Sequence, residues 1–235
     1  MGDGKTMTDR NERLCRMANM LGEENLARLA SKRVAVFGLG GVGSACAEAL
    51  ARGGIGALDI IDHDTVALSN LNRQLLSDIH VLGRKKTDVM LCRLRAVAPD
   101  MDIYPHDVFF LPETRDAIDF SVIDYVVDCI DNITAKVLLA SICHAKGIPL
   151  LSCMGTGNRL DPKKFFFTDI FETSGDPLAR VMRHELRKAG VPALSVLCSS
   201  ETPVKIKERS PGSVSFVPPV AGMILASEVI RSFLL

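Results

Sequence analysis

Between positions 34 and 74 the chain carries three segments whose order admits few folds. Val34-Ala35-Val36-Phe37 is a largely β-branched run, too short for a helix, and Gly38-Leu39-Gly40-Gly41-Val42-Gly43-Ser44 follows it directly. The stretch from Val42 to about Arg52 is rich in Ala, Leu and Glu, and Gly53-Gly54 ends it as a helix C-cap does. Ala57–Ile61 reads as a second strand that runs into Asp62-His63-Asp64, and Asn70-Leu71-Asn72-Arg73-Gln74 lies in the polar loop beyond. Strand, helix and strand in that order make a crossover, so the two strands should be parallel. The expected fold class is α/β: a Rossmann-like, doubly wound, mostly parallel sheet with an elaborated C-terminal half.

The same alternation continues down the chain. A helix is expected over Leu82–Ala98, stopped by Pro99, then a strand over Asp102–His106 and a short helix over Arg115–Phe120. Tyr125–Cys129 reads as a strand, Ile133–Lys146 as a helix ended by Gly147, and Ile148–Met154 as the next strand. Ahead of all this, residues 1–10 read as loose, and Leu14, Met17, Leu21, Leu26 and Leu29 mark two short helices within 11–30, broken at Gly22. After Gly155-Thr156-Gly157 the pattern changes. Phe165–Ile170 and Ala193–Cys198 are expected as strands, Pro177–Ala189 as a basic amphipathic helix, and Glu201–Gly212 as a flexible crossover loop. The apolar stretch Val217–Leu235 contains Pro218, Pro219, Glu228 and Arg231, and reads as a buried helix rather than a membrane anchor. Three regions follow: N-terminal helices (1–30), a nucleotide-binding core (31–157), and a substrate and dimer portion (158–235) that includes the crossover loop 201–212.

Composition removes several classes of function. With 47% hydrophobic residues in 235, the chain can bury a sizeable core. The formal net charge is zero, so a polyanion would have to meet a local basic patch. Aromatics make up 5% and Trp is absent, which disfavours a surface that stacks single-stranded bases. The seven cysteines are odd in number and form no C-x-x-C pair. Reduced thiols in a cytoplasmic protein are expected, without a disulfide framework and without zinc. The N-terminus carries Asp3, Asp9 and Glu12 and no apolar stretch, which argues against a signal peptide.

The chemistry concentrates at strand ends. Gly38-x-Gly40-x-x-Gly43 follows a strand and opens a helix, and Asp62 ends the next strand about twenty residues on. Glycines let backbone N–H groups approach a nucleotide closely, the helix N-terminus adds partial positive charge, and a carboxylate at Asp62 can accept ribose hydroxyls. No G-x-x-x-x-G-K-[ST] is present, so a P-loop is ruled out. The glycines do not separate NAD from ATP. Arg73, Lys86 and Asp131 favour ATP: two cations near the carboxyl ends of the strands would offset a triphosphate, and a carboxylate would hold Mg²⁺.

The run Gly38–Ser44, Asp62-x-Asp64, Asn70-x-Asn72-Arg73-Gln74, Gly83-x-x-Lys86 and Asp128-x-x-Asp131-Asn132 resembles the ubiquitin-activating-enzyme-like adenylating superfamily over about residues 13–157. The resemblance implies a homodimer that binds MgATP and attaches AMP to a carboxylate. By position, Gly38, Gly40, Gly41, Gly43, Asp62, Asp64, Asn70, Arg73, Lys86 and Asn132 would surround the nucleotide. Asp62 would hold the ribose, Asn70 would place the α-phosphate, Arg73 and Lys86 would hold the phosphates, and Asp131 the magnesium. Arg16, in Arg13-Leu14-Cys15-Arg16, would reach into the partner's ATP site.

The second half selects the branch. Gly155-Thr156-Gly157-Asn158-Arg159-Leu160-Asp161-Pro162, Asp176-Pro177-Leu178-Ala179-Arg180-Val181-Met182-Arg183 with Glu185-Leu186-Arg187, and Phe216-Val217-Pro218-Pro219-Val220-Ala221-Gly222-Met223 resemble the tRNA threonylcarbamoyladenosine dehydratases. That branch implies ATP-dependent dehydration of threonylcarbamoyladenosine in tRNA through an acyl-adenylate, with a sulfur-transfer helper protein as a further partner. The alternative is adenylation of the C-terminal carboxylate of a small sulfur-carrier protein. A nucleotide-binding module without turnover and an NAD-dependent oxidoreductase rank below both. Arg180, Arg183, Arg187 and Lys188 recur at helical spacing and are the expected tRNA contacts, extended by Lys163-Lys164 and Lys205–Arg209. His63 is expected to serve its loop. Cys46, Cys92, Cys129 and Cys143 read as core residues, and Cys153 and Cys198 lie near strand ends.

Overall fold

The computed structural model describes residues 3–208 and 210–234, with side chains from residue 10 onward. Two helices, α1 (Asp3–Leu21) and α2 (Glu23–Ala30), lead into β1 (Arg33–Phe37), α3 (Gly43–Arg52), β2 (Ala57–Asp62), α4 (Lys86–Val97) and β3 (Asp102–Asp107). The chain then returns through β4 (Tyr125–Asp128), α5 (Ile133–Lys146) and β5 (Leu150–Cys153). The last portion is β6 (Phe165–Asp169), α6 (Pro177–Lys188), β7 (Ser195–Ser199) and α7 (Val217–Leu234).

These strands form one seven-stranded sheet in the order β3-β2-β1-β4-β5-β7-β6. It is parallel except for β6, which runs antiparallel to β7. Strand order reverses between β1 and β4, where Phe37 pairs with both Ile61 and Asp128. A crevice opens at such a switch point, beyond the carboxyl ends of the strands. The central strands are apolar on both faces because helices cover both. Val34 and Val36 face α3, α4 and α7, whereas Ala35 and Phe37 face α5. Pro105 is tolerated because β3 is an edge strand.

Several features differ from expectation, two of them, α1 and α4, for long-range reasons. α1 already begins at Asp3, so residues 3–10 are helical rather than loose; Met1 and Gly2 lie outside the described residues. The helix is anchored by Arg10 and Arg13, which both bind Asp100 and also donate to carbonyls at the end of α3, Gly54 O at 2.7 Å and Ala51 O at 3.2 Å. α4 starts at Lys86 rather than Leu82, because the chain before it pairs back on the segment after β2: Val66 N donates to Arg84 O and Gly83 N to Val66 O. The expected short helix over Arg115–Phe120 is two 3-10 turns, Arg115–Ala117 and Phe120–Val122. Cys92 is exposed rather than core, while Cys153 and Cys198 are buried.

α7 is long and apolar enough to cross a membrane. Its face at Val217, Ala221, Leu225 and Val229 is buried and packs on α3 and the β-sheet core, as expected of a core helix. Each buried Leu or Val on that face contributes roughly 1.5–3 kcal/mol.

Asp59 is a buried carboxylate on the β1–β2–β3 side of the sheet. It accepts Arg33 Nε at 2.7 Å and lies 2.8 Å from His106 Nε2. Burial pushes its carboxyl up, but the hydrogen bonds from His106 and Arg33 outweigh that and hold it below the usual carboxylate range. A depressed folded value means stability that is present above about pH 4, the unfolded value, and lost as pH falls through the folded one. Asp59→Asn is therefore expected to cost about 1.5–3 kcal/mol near pH 7 and less as the pH falls towards 3. Urea unfolding of both proteins between pH 7 and 3 checks this; parallel curves would contradict it.

Candidate functional site

The glycine turn is built by contact. Gly38 has φ of +86°, and a Cβ there would come within 2.8 Å of Cys129 O. A Cβ on Gly43 would come within 1.7 Å of Gly38 O, so the start of α3 closes directly on the end of β1. The turn borders a hollow of about 400 Å³ at the switch point of the sheet.

Asp62 is fastened to that turn. Its Oδ2 accepts Leu39 N at 2.6 Å and its Oδ1 accepts Asp64 N at 2.8 Å. Each oxygen keeps a lone pair for a ligand. Lys86 reaches the same place because Lys86 N donates to Asp64 O, which fixes the first residue of α4 against the end of β2. Lys86 is 4% exposed, and its Nζ sits 2.8 Å from Asp64 Oδ2 and 4.0 Å from Asp62 Oδ2. Burial pushes the Asp64 carboxyl up, and Lys86 more than reverses this, leaving it below the usual range. Asp62, His63 and Asp64 bring their donor atoms within 4.8 Å of one another. The Lys86 ammonium already supplies the positive charge at that cluster.

The loop after β2 supplies the opposite wall. Asn70 Oδ1 accepts Ala67 N, and Asn70 O accepts the backbone N–H of Arg73 and of Gln74. The Arg73 guanidinium is exposed and donates through Nη1 to Ser69 O at 2.8 Å and Asn72 Oδ1 at 2.9 Å, which leaves other donors free for the hollow. Gln74 is 7% exposed, lines the hollow, and its Oε1 has no partner. A buried orphan acceptor of this kind calls for a donor from a ligand or water. Asp131, in the turn between β4 and α5, is exposed, lines the hollow and makes no ion pair or side-chain hydrogen bond among the described residues.

Arg73, Lys86 and Asp131 therefore share one hollow with Gly38, Gly40, Gly41, Asp62, Asp64 and Asn70. Two expected members are elsewhere. Asn132 caps α5, its Oδ1 accepting Ala135 N at 3.0 Å, and Gly43 packs beneath the turn. Arg16 is exposed on α1 and does not line the hollow of its own chain. His63 stacks on Phe109 with ring centroids 4.1 Å apart, and both line the hollow, as do the apolar Ile61, Val108 and Ile130. Phe109 and Gln74 are residues that sequence reasoning missed, although Gln74 stood inside a motif already singled out.

Behind Asp131 lies a second missed group. Lys136 is fully buried, and its Nζ makes three contacts: Asp128 Oδ2 at 2.8 Å, Ile130 O at 3.0 Å and Cys153 O at 2.9 Å. Asp128 completes the network by accepting Ser152 Oγ at 2.6 Å and Ile130 N at 3.0 Å. The turn carrying Asp131 is thus tied to the ends of β4 and β5.

The crossover segment is more ordered than its composition suggests. Asn158, at φ +58°, holds both limbs: its O accepts Val204 N at 2.7 Å and its Oδ1 accepts Gly212 N at 2.6 Å. Asn72 Nδ2 reaches Ser213 O at 3.0 Å, which brings Gly212 and Ser213 to the hollow. Arg159, buried, donates to Gly155 O at 2.8 Å and Asp176 Oδ2 at 2.7 Å.

The four cations expected to meet tRNA do not form one free face. Arg183 donates to Thr173 O at 2.9 Å, Arg187 lies over the Phe171 ring at 5.0 Å, and Lys188 pairs with Glu185 at 2.9 Å; Arg180 is exposed. Cys46, Cys143, Cys153 and Cys198 are buried, whereas Cys15 and Cys92 are exposed. Burial pushes the thiols of Cys143 and Cys153 up to about 12.

Comparison with known proteins adds a family. A model of the ThiF family matches residues 12–234. The chain is 37% identical over 232 residues to the tRNA threonylcarbamoyladenosine dehydratase of Bacillus subtilis strain 168, covering 91% of each chain. Its fold is similar to that of the E. coli tRNA N6-threonylcarbamoyladenosine dehydratase solved in complex with AMP, with TM-score 0.89 at 31% identity over 95% of this chain and 94% of that one. The complex of the same E. coli enzyme with ATP gives TM-score 0.87 at 31% identity over the same shares.

Proposed function

The chain belongs to the ThiF family, and on that premise we propose that it uses ATP to dehydrate threonylcarbamoyladenosine in tRNA through an acyl-adenylate. The observation that carries this reading is the single hollow holding Arg73, Lys86 and Asp131 around an Asp62 fixed to the glycine turn. Asp62 takes the ribose hydroxyls. Arg73 and Lys86 take the phosphates, Lys86 exchanging its contact with Asp64 for a phosphate oxygen. Asn70 lies where the α-phosphate passes. Asp131 offers a free, hard oxygen donor, and Gln74 Oε1 an unpaired acceptor, so the residues present fit a magnesium-bound triphosphate. Magnesium there would neutralise charge on the departing pyrophosphate.

The threonyl carboxylate oxygen attacks the α-phosphorus, the bond to the β-phosphate oxygen breaks, and pyrophosphate leaves. The tethered carbamoyl nitrogen then attacks the acyl carbon and loses its proton, the acyl C–O bond breaks, and AMP leaves with the carboxylate oxygen. The net change in the nucleoside is loss of one water. Tethering contributes roughly 7–11 kcal/mol of barrier lowering, so no thioester is required, in keeping with burial that pushes the Cys143 and Cys153 thiols up to about 12. Arg16 completes the hollow from a second copy in a homodimer. Free thiols without disulfides suit the reducing cytoplasm.

The test is incubation with MgATP and tRNA bearing threonylcarbamoyladenosine, followed by nucleoside mass spectrometry. Loss of one water is expected. An unchanged nucleoside, together with pyrophosphate exchange driven by a protein with a Gly-Gly tail, would transfer the reading to a sulfur carrier. Arg73→Ala is expected to lower kcat by about 10–100-fold, the worth of charge-assisted hydrogen bonds to a phosphate, while changing AMP affinity less than about threefold. Equal losses in both would remove its phosphate role.

A further inference from the structure

Basic side chains cluster on the sheet rim that carries the hollow, away from the far end of α6. β6 is antiparallel to β7, so its first residue, Phe165, pairs with Ser199 at the C-terminal rim. Lys163 and Lys164 immediately precede it, two strands across from β5, or roughly 10 Å from the segment after β5 that brings Thr156 and Gly157 to the hollow. Lys205 and Lys207 lie in the crossover segment between Val204 and Gly212, both of which are bonded to Asn158 on that rim. Arg180 is one turn into α6, whose N-cap Asp176 is held by Arg159 at the same rim. All five are exposed. The ion pairs of this part of the chain are Arg159–Asp176, His184–Glu185 and Lys188–Glu185, and none of the five takes part in one among the described residues.

Two carboxylates beside these cations, Glu201 and Asp161, are already occupied. Glu201 accepts Leu160 N at 3.0 Å and Asp161 N at 2.9 Å, and Asp161 accepts Lys163 N at 3.0 Å. Glu208 is exposed in the same loop, and Arg209 lies outside the described residues. α6 then runs away from the rim. Its last turn leads through Val191 and Leu194 to the N-terminal start of β7 at Ser195, so Arg187 and Lys188 lie roughly 10–12 Å further along the helix than Arg180. Arg187 is also stacked on Phe171, and Lys188 is paired.

We infer that Lys163, Lys164, Arg180, Lys205 and Lys207 form the surface that grips the RNA phosphates flanking the reacting nucleotide. This rests on tRNA being the substrate. A nucleotide whose threonyl group enters the hollow leaves its flanking phosphates outside the mouth, on the side of the rim that carries these five ammonium and guanidinium groups. Arg187 and Lys188 sit on the end of α6 that heads to the opposite rim, and their partners Phe171 and Glu185 already engage them.

The test measures binding of an anticodon stem-loop transcript by fluorescence anisotropy across a salt series, with ATP affinity measured in parallel. Lys163→Ala/Lys164→Ala and Lys205→Ala/Lys207→Ala should each weaken RNA binding about tenfold. Each should also reduce the slope of log K against log salt by about 1–2, since a phosphate contact contributes roughly 0.7–0.9. ATP affinity should stay within about twofold. Arg187→Ala/Lys188→Ala should bind RNA within about twofold of the parent. Parental RNA binding by both rim pairs, or a larger loss in Arg187→Ala/Lys188→Ala, would overturn the rim assignment while leaving the dehydratase reading standing if modified tRNA is still converted. A parent chain that neither binds the transcript nor converts modified tRNA would remove the tRNA reading and the rim with it.

Discussion

Lys136→Met is expected to destabilise the protein by about 3–5 kcal/mol, the loss associated with leaving one member of a buried ion pair uncompensated. Methionine matches the length and volume of the lysine stem, so packing is nearly conserved and the loss is electrostatic. Three oxygens lose their common donor: Asp128 Oδ2, Ile130 O and Cys153 O. Asp128 keeps Ser152 Oγ and Ile130 N but faces them with an unneutralised charge at 1% exposure. Urea unfolding measures the loss, and a change below about 1 kcal/mol would contradict it. The double variant Asp128→Asn/Lys136→Met separates charge from packing. Removing both charges should recover a substantial part of the loss, giving a coupling of about 1–3 kcal/mol between the two sites. Strict additivity would mean that the lysine acts only as a filler.

That network also explains which parts of the molecule are readable in its sequence. α5 is read to the residue, Ile133–Lys146, because its signals are local: a left-handed Gly147 at φ +66° ends it. The glycine turn and Asp62 are equally local, lying on adjacent parallel strands joined by one crossover. α4 is not read correctly at its start, because residues 82–85 satisfy their backbone groups with the segment after β2, a partner that periodicity cannot reveal. Asn132 was assignable as a cap, since Asn before a helix commonly bonds the backbone N–H three residues on; its place in a superfamily motif pulls it towards the nucleotide instead. Lys136 looks like one more surface lysine on a helix. Only the fold shows Asp128, Ile130 and Cys153 converging on it. The basic helix misleads in the opposite way. Spacing puts its cations on a face, but the partners Thr173, Phe171 and Glu185 and the direction of α6 come from tertiary structure.

Asp131→Ala is expected to reduce AMP formation by about 10³-fold or more, while stability stays within about 0.5 kcal/mol of the parent. The two halves of that expectation have separate grounds. The carboxylate is exposed, makes no ion pair or side-chain hydrogen bond among the described residues, and sits beside Asn132, which does the capping. Its removal therefore touches none of the features that make substitutions costly to the fold. Its chemical role is different. It is the exposed carboxylate of the hollow with no cation beside it, whereas Asp64 is paired to Lys86 and Asp62 is fastened to Leu39 N. A divalent ion needs such a free hard donor, and loss of several kcal/mol of charge stabilisation at the phosphates corresponds to a thousandfold or more in rate. Asp131→Asn keeps an oxygen donor without the charge. It should retain more activity than the alanine variant and need a higher magnesium concentration for half-maximal rate. Pyrophosphate release at varied magnesium, with urea midpoints for both variants, decides the matter: parental rates in Asp131→Ala, or an unshifted magnesium requirement in Asp131→Asn, would take the metal away from this residue.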